Sequence, residues 1–228
     1  MLQAFLKKIL VGSPFEKPLR AILRRPKSVN FSASNKYWDE RYRQGGNSGA
    51  GSYGRLAHFK AKILNDFVEK NNIKSIVEFG SGDGNQLTLA SYPTYLGVDV
   101  SEVAVRCCNE RFSQDSTKTF LTLEDYAGQM ADLALSLDVV YHLVEDEIYD
   151  AYMTMLFDAA QHYVIIYASN EDHQPTTHHV RHRRFTDWVS TKRPSASLVK
   201  HIPNKFPFNP AKPNETSFAD FYIFKMEK

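Results

Sequence analysis

From residue 73 onward, short apolar runs alternate with stretches of helical period. KSIVEF at 74–79 is apolar and β-branched enough to predict a buried strand. A glycine turn, GSGDGN at 80–85, comes next and leads into a helical stretch. TYLGVDV at 94–100 predicts the second strand, and SEVAVRCCNERF at 101–112 a helix with Ser101 as its N-cap. TKTFLTL at 117–123 and ADLALSL at 131–137 predict the third and fourth strands. A long helix is expected from about Tyr141 to Gln161, then a fifth strand in HYVIIYAS at 162–169 and a helix around FTDWVS at 185–190. SLVKHI at 197–202 and ADFYIFKM at 219–226 close the chain as two more strands. Strands joined by crossover helices imply a mainly parallel sheet with helices on both faces. The last two strands have no long helix between them, so they are expected to form an antiparallel hairpin at one edge.

Before residue 73 the pattern is different. Residues 35–43, NKYWDERYR, predict a short helix, and GGNSGAGSYG at 45–54 a glycine- and serine-rich loop. In the following stretch Leu56, Phe59, Ile63, Leu64 and Phe67 fall at helical spacing. A loop held between two helices suits a lid better than a spacer. Residues 1–26 mix Leu2, Phe5, Leu6, Ile9, Leu10 and Val11 with Lys7, Lys8, Arg20, Arg24 and Arg25. Such an arm either lies on an anionic membrane surface or packs on the domain or a partner subunit. Three regions follow: a basic amphipathic arm at 1–34, a helical cover at 35–70 and the main domain at 71–228.

Composition narrows the class. The 228 residues carry a formal net charge of +2, too mild to argue for nucleic acid, which is not expected as a partner. No apolar run reaches the length of a membrane-spanning helix. Cys107 and Cys108 are adjacent and fit neither a disulfide framework nor a zinc spacing, so a reducing, cytoplasmic setting fits.

The chemistry concentrates after the first strand. Gly80, Gly82 and Gly84 alternate directly after it, where side chains would block a ligand's approach to the backbone. The spacing is neither GxGxxG nor a Walker A loop, so phosphate binding is not what it signals. Glu78, just before the first glycine, instead suits a ligand carrying positive charge. Asp99 ends the second strand 19 residues after Gly80 and is placed to accept ribose hydroxyl protons.

EFGSGDG followed by GVDVS resembles motif I and the acidic position after it in class I S-adenosylmethionine-dependent methyltransferases. The resemblance implies a Rossmann-like seven-stranded sheet whose seventh strand is antiparallel and inserted beside the fifth. It implies S-adenosylmethionine as cofactor and S-adenosylhomocysteine as product. Gly80, Ser81 and Gly82 would approach the amino-acid part of the cofactor, with Glu78 orienting it. Asp99 and Val100 would hold the ribose, and Leu123 and Glu124 would contact adenine. Tyr37, Trp38, Arg41, Ser48, Gly49 and Ser52 would form a cover that closes over the cofactor, with Arg41 near its carboxylate.

The fourth strand ends in SLDVVYH, where such enzymes place the groups that face the methyl. The absence of a proline-containing NPPY-like sequence leans toward oxygen rather than a planar nitrogen as acceptor. Asp138 and His142, four apart, would share a helix face, and His142 is the candidate general base. After the fifth strand, Asn170, Glu171, Asp172, His173, His178, His179, Arg181, His182, Arg183 and Arg184 form a polar cluster. It matches no metal-binding spacing. Its arginines could grip an anionic acceptor by forked hydrogen bonds. The cover and the basic arm resemble methyltransferases of bacterial surface-polysaccharide synthesis, which implies a sugar hydroxyl in a glycan or glycan precursor. The arm would then bring the enzyme to the inner face of the membrane. The competing readings are an RNA or protein methyltransferase and a catalytically silent subunit that binds the cofactor.

Overall fold

The computed structural model describes residues 34–172 and 179–227. The amphipathic arm read at 1–34 therefore lies outside the described residues, apart from Ser34 itself. Seven strands form one sheet in the order β3-β2-β1-β4-β5-β7-β6. They are β1 Ser75–Phe79, β2 Thr94–Asp99, β3 Lys118–Thr122, β4 Ala131–Leu137, β5 Ala160–Ala168, β6 Ala196–Ile202 and β7 Asp220–Met226. β1 pairs in parallel with β2 and β4, β2 with β3, and β4 with β5. β7 runs antiparallel to both β5 and β6. The last hairpin is thus not simply appended: β7 is inserted beside β5, and β6 becomes the edge.

Five helices surround the sheet among the described residues: α1 Ser34–Arg43, α2 Gly54–Lys70, α3 Glu102–Arg111, α4 Asp146–Asp158 and α5 Phe185–Lys192. α3 begins as its sequence predicts, with the Ser101 hydroxyl accepting from the Ala104 amide. It packs on β2 and β3, while α4 packs on β4 and β5. α2 turns Leu56, Ala57, Ala61, Leu64 and Val68 inward, so this part of the segment expected as a cover is a core helix. The cover itself is confined to α1 and the loop after it.

Two helical expectations are corrected. No α-helix follows the glycine turn; there is only a 3₁₀ turn, Gln86–Leu89. The span before β2 is short, and its polar groups bond locally and to α2. The Thr88 hydroxyl donates to the Asn85 carbonyl, Gln86 donates to the Ala57 carbonyl, and Asn65 bonds both the Leu89 carbonyl and the Ser91 amide. The helix expected at 141–161 is only α4. Before it the chain makes a 3₁₀ turn, Val140–His142. Carbonyls that a longer helix would need are taken elsewhere: Tyr141 accepts from the Arg181 amide, Val144 from the Arg181 and Arg183 guanidinium groups, and Leu143 from Arg183. Asp138 stands at φ +62, outside any helix, so it and His142 do not share a helix face.

Candidate active site

The parallel strands leave their C-terminal ends open on one side, and a cavity of about 340 Å³ lies there. The glycine turn forms its floor. Gly80 and Gly82 both take positive φ, +86 and +58. A Cβ on Gly80 would collide with Val139, and one on Gly82 with the Ser48 hydroxyl, so the turn admits no side chain at either position. The turn is pinned to β2: Gly80 N donates to the Val98 carbonyl at 2.7 Å, and Gly82 N to Asp99 Oδ2 at 2.8 Å.

Two buried carboxyls face this floor. Glu78 accepts from the Tyr95 hydroxyl at 2.8 Å, and burial pushes its pKa up to about 7. Asp99 is raised above the ordinary carboxylate value by burial, partly offset by bonds from the backbone amides of Ser101, Gly82 and Val100. Ser81 also lines the cavity, and its hydroxyl is buried without a partner among the described residues. An unpartnered buried donor is costly unless a ligand completes it. A polar ligand with a hydrogen-bond acceptor at one end and positive charge near Glu78 therefore fits this donor set.

The roof comes from α1 and the loop 44–53. Ser101 Oγ donates to Asp39 Oδ1 at 2.9 Å, anchoring α1 beside the tip of β2. Tyr42 reaches over the glycine turn and bonds Ser48 at 2.9 Å. The loop is fixed further by Asp83, which accepts from the Ser48 amide at 3.0 Å and the Tyr53 hydroxyl at 2.6 Å. These bonds pull Asp83 below the usual carboxylate range despite the opposing effect of its burial. Arg41 lines the cavity, its Nε bonded to the Asn47 carbonyl at 2.7 Å.

The far end of the cavity is aromatic. His142 lies in T-shaped contact with Trp38 at 4.9 Å between ring centroids, with the Tyr141 ring 4.6 Å away. Its Nδ1 bonds the His179 carbonyl at 3.1 Å. A carbonyl only accepts, so Nδ1 carries the proton and Nε2 keeps its lone pair. Burial holds this imidazole at about 4, well below the ordinary value. Asp138 accepts from Lys60 Nζ at 2.7 Å and from the Tyr141 hydroxyl at 2.8 Å.

Of the residues singled out in the sequence, Tyr37, Trp38, Arg41, Ser48, Gly49, Ser52, Glu78, Gly80, Ser81, Gly82, Asp99, Val100, Leu123, Asp138 and His142 all line this one cavity. Glu124 does not: it is exposed, and only Leu123 of that pair faces inward. The arginines after β5 are also placed differently from their reading as anion grips. Arg181 and Arg183 bond the carbonyls of the loop before α4 and pair with Asp146, and Arg184 pairs with Asp172. Arg181 and Arg183 thereby brace that loop. Within the cluster, His173 and His178 lie outside the described residues. Among the described residues, no group of His, Cys, Asp and Glu is placed to hold a metal ion. Nor is any helix among them long and apolar enough to cross a membrane.

The sequence reading missed Lys60, Tyr42, Asp83 and Tyr141. Lys60 carried a signal: it sits four residues from both Leu56 and Leu64, on the apolar face of α2.

Neither a protein-family model nor a curated protein sequence matches the chain. Solved structures do. Magnesium protoporphyrin IX methyltransferase (ChlM) from Synechocystis PCC 6803, crystallised with bound SAH, aligns at a TM-score of 0.62 and 15% identity, over 85% of this chain and 98% of that one. The N-methyltransferase NodS from Bradyrhizobium japonicum WM9 aligns at 0.59 and 13%, over 76% and 96%. An S-adenosylmethionine-dependent methyltransferase from Clostridium acetobutylicum ATCC 824 aligns at 0.56 and 12%, over 86% and 100%. The fold is that of the S-adenosylmethionine-dependent methyltransferases. At these identities the likeness speaks for the fold, and the chemistry has to come from the cavity.

Proposed function

We propose that the chain is an S-adenosylmethionine-dependent methyltransferase that methylates a hydroxyl oxygen, with a sugar hydroxyl of a glycan or glycan precursor as the acceptor. The observation that carries this reading is the joining of the side-chain-free Gly80–Gly82 floor, the buried Glu78 and Asp99 and the unpartnered Ser81 hydroxyl in one cavity. Bound there, the cofactor would supply an electrophilic methyl group. Glu78 would face its ammonium, Ser81 and Arg41 its carboxylate, and Asp99 its ribose. Asp99 accepts from backbone amides, Gly82 at Oδ2 and Ser101 at Oδ1 among them, and its carboxylate keeps lone-pair capacity for a ribose hydroxyl.

The residues of the chain then have two tasks. The cover of α1 and the loop 44–53 excludes water and holds the acceptor in line. His142, neutral through the physiological range, offers the Nε2 lone pair to the hydroxyl proton of the acceptor. Trp38, Tyr141 and His179 around it present ring faces and edges suited to the C–H face of a sugar. The RNA reading would draw on the arginines after β5, of which Arg181 and Arg183 pair with Asp146 and Arg184 with Asp172.

The test is transfer of a labelled methyl group to a panel of neutral sugars, lipid-linked glycans and short RNAs. Label in a glycan, stable to base as an ether is, supports the proposal. Label only in RNA, or none in any acceptor despite cofactor binding, contradicts it.

A further inference from the structure

Lys60 lines the cavity, and the reading above gives it no task. It lies on the core face of α2 with its side chain 1% exposed, and lysine is rarely buried that deeply without a partner. Its partner is Asp138, at 2.7 Å, and the ammonium also stands 5.3 Å from the centre of the Tyr167 ring. A buried ion pair is poor at stabilising a fold, and well-packed apolar residues would join α2 to β4 at least as well. Stability therefore does not account for this pair.

Its placement points to the cavity. Asp138 directly follows β4 in the left-handed region, unusual for a residue other than glycine. Its side chain is 17% exposed against 1% for Lys60, so the pair turns its negative end to the open space. The covering loop comes close to this carboxylate: a Cβ on Gly51 would lie 2.7 Å from Asp138 Oδ2, so glycine lets the backbone pass without displacing it.

Resting on the methyl-donor reading, we propose that Lys60 is a positioning residue that holds the Asp138 carboxylate fixed at the β4 end of the cavity, where it favours the positively charged donor over its neutral product. With the ribose at Asp99 on β2 and the ammonium at Glu78 on β1, the sulfur end of the cofactor would lie toward β1 and β4. Methyl transfer turns a sulfonium into an uncharged thioether there. A fixed carboxylate nearby attracts the first and is indifferent to the second, so it aids both donor capture and product release.

The test is calorimetry on the full chain with S-adenosylmethionine and S-adenosylhomocysteine as probes. In Asp138→Asn the preference for the charged probe falls about tenfold, the scale of one charged contact. In Lys60→Met the carboxylate loses the ammonium that fixes it, and the preference falls as it does in Asp138→Asn. Lys60→Arg restores a cation and keeps the preference, a rescue that a merely structural lysine would not give. The double variant Lys60→Met with Asp138→Asn must behave as Asp138→Asn alone. An unchanged preference in Asp138→Asn, or in Lys60→Met, overturns the proposal. If Lys60→Met does not fold, Asp138→Asn and Lys60→Arg decide it. Binding of neither probe to the unaltered protein overturns the methyl-donor reading, and this proposal with it.

Discussion

Ser48 of the covering loop and Asp83 of the glycine turn hold each other reciprocally: the Ser48 amide donates to Asp83 Oδ2 at 3.0 Å, and the Asp83 amide donates to Ser48 Oγ at 2.9 Å. Asn85 adds a bond from its side chain to the Ser52 carbonyl at 2.7 Å. The segment read in the sequence as a mobile lid is therefore latched to the floor it covers. Asp83→Ala removes the acceptor for both Ser48 and Tyr53. We expect the cofactor to dissociate about tenfold faster, with a loss of ~1–2 kcal/mol in stability. Stopped-flow displacement and thermal melting check this; an unchanged dissociation rate would show that the latch does not gate the site.

Gly51 offers a cleaner probe of the same closure, because its φ is not positive and alanine is free to adopt it. The added Cβ meets the Asp138 carboxylate at 2.7 Å, so the loop must lift or the carboxylate must turn. Gly51→Ala should weaken cofactor binding about tenfold or more, with little change in melting temperature. Calorimetry on the variant reads the first and differential scanning the second.

The fold was legible in the sequence because each strand announces itself. The runs at 76–79 and 164–168 are buried, 131–137 is buried except at Asp132, and Ser101 caps α3 as its position predicts. The floor was legible for a similar reason: alternate glycines after a strand have few other uses. Local pattern failed where tertiary contacts decide. Nothing near Val140 or Leu143 in the chain shows that Arg181 and Arg183, some 40 residues later, claim the carbonyls of a helix that otherwise would start earlier. Likewise Lys60 reads as one more solvated lysine until Asp138 is brought against it.

Glu78 makes cofactor binding sensitive to pH. Its carboxyl, near 7 in the free protein, is largely protonated at about pH 6, and a cation beside it favours ionisation. Binding should therefore release close to one proton at about pH 6 and almost none above about pH 8.5, with affinity rising as pH rises through 7. Calorimetry in buffers of differing ionisation enthalpy counts the protons. Release that persists in Glu78→Gln would assign it to another group.

His142 makes a separate prediction for turnover. Held at about 4, it is already neutral where an ordinary histidine would still be half charged. The rate on a competent acceptor should stay flat down to about pH 5 and fall below it. The folded value lies below the unfolded one, so the unfolded chain binds the extra proton, and this histidine costs stability as pH drops from about 6.5 toward 4. His142→Ala should lower turnover about 100-fold while leaving cofactor affinity nearly unchanged. Equal turnover would remove it as the base.

The most direct test of the central claim is isothermal calorimetry of the full chain with S-adenosylmethionine, S-adenosylhomocysteine and, as a control, NADH. The account predicts saturable binding of both sulfur compounds, weakened by Asp99→Ala, and no binding of NADH. Binding of NADH, or of neither sulfur compound, would contradict it.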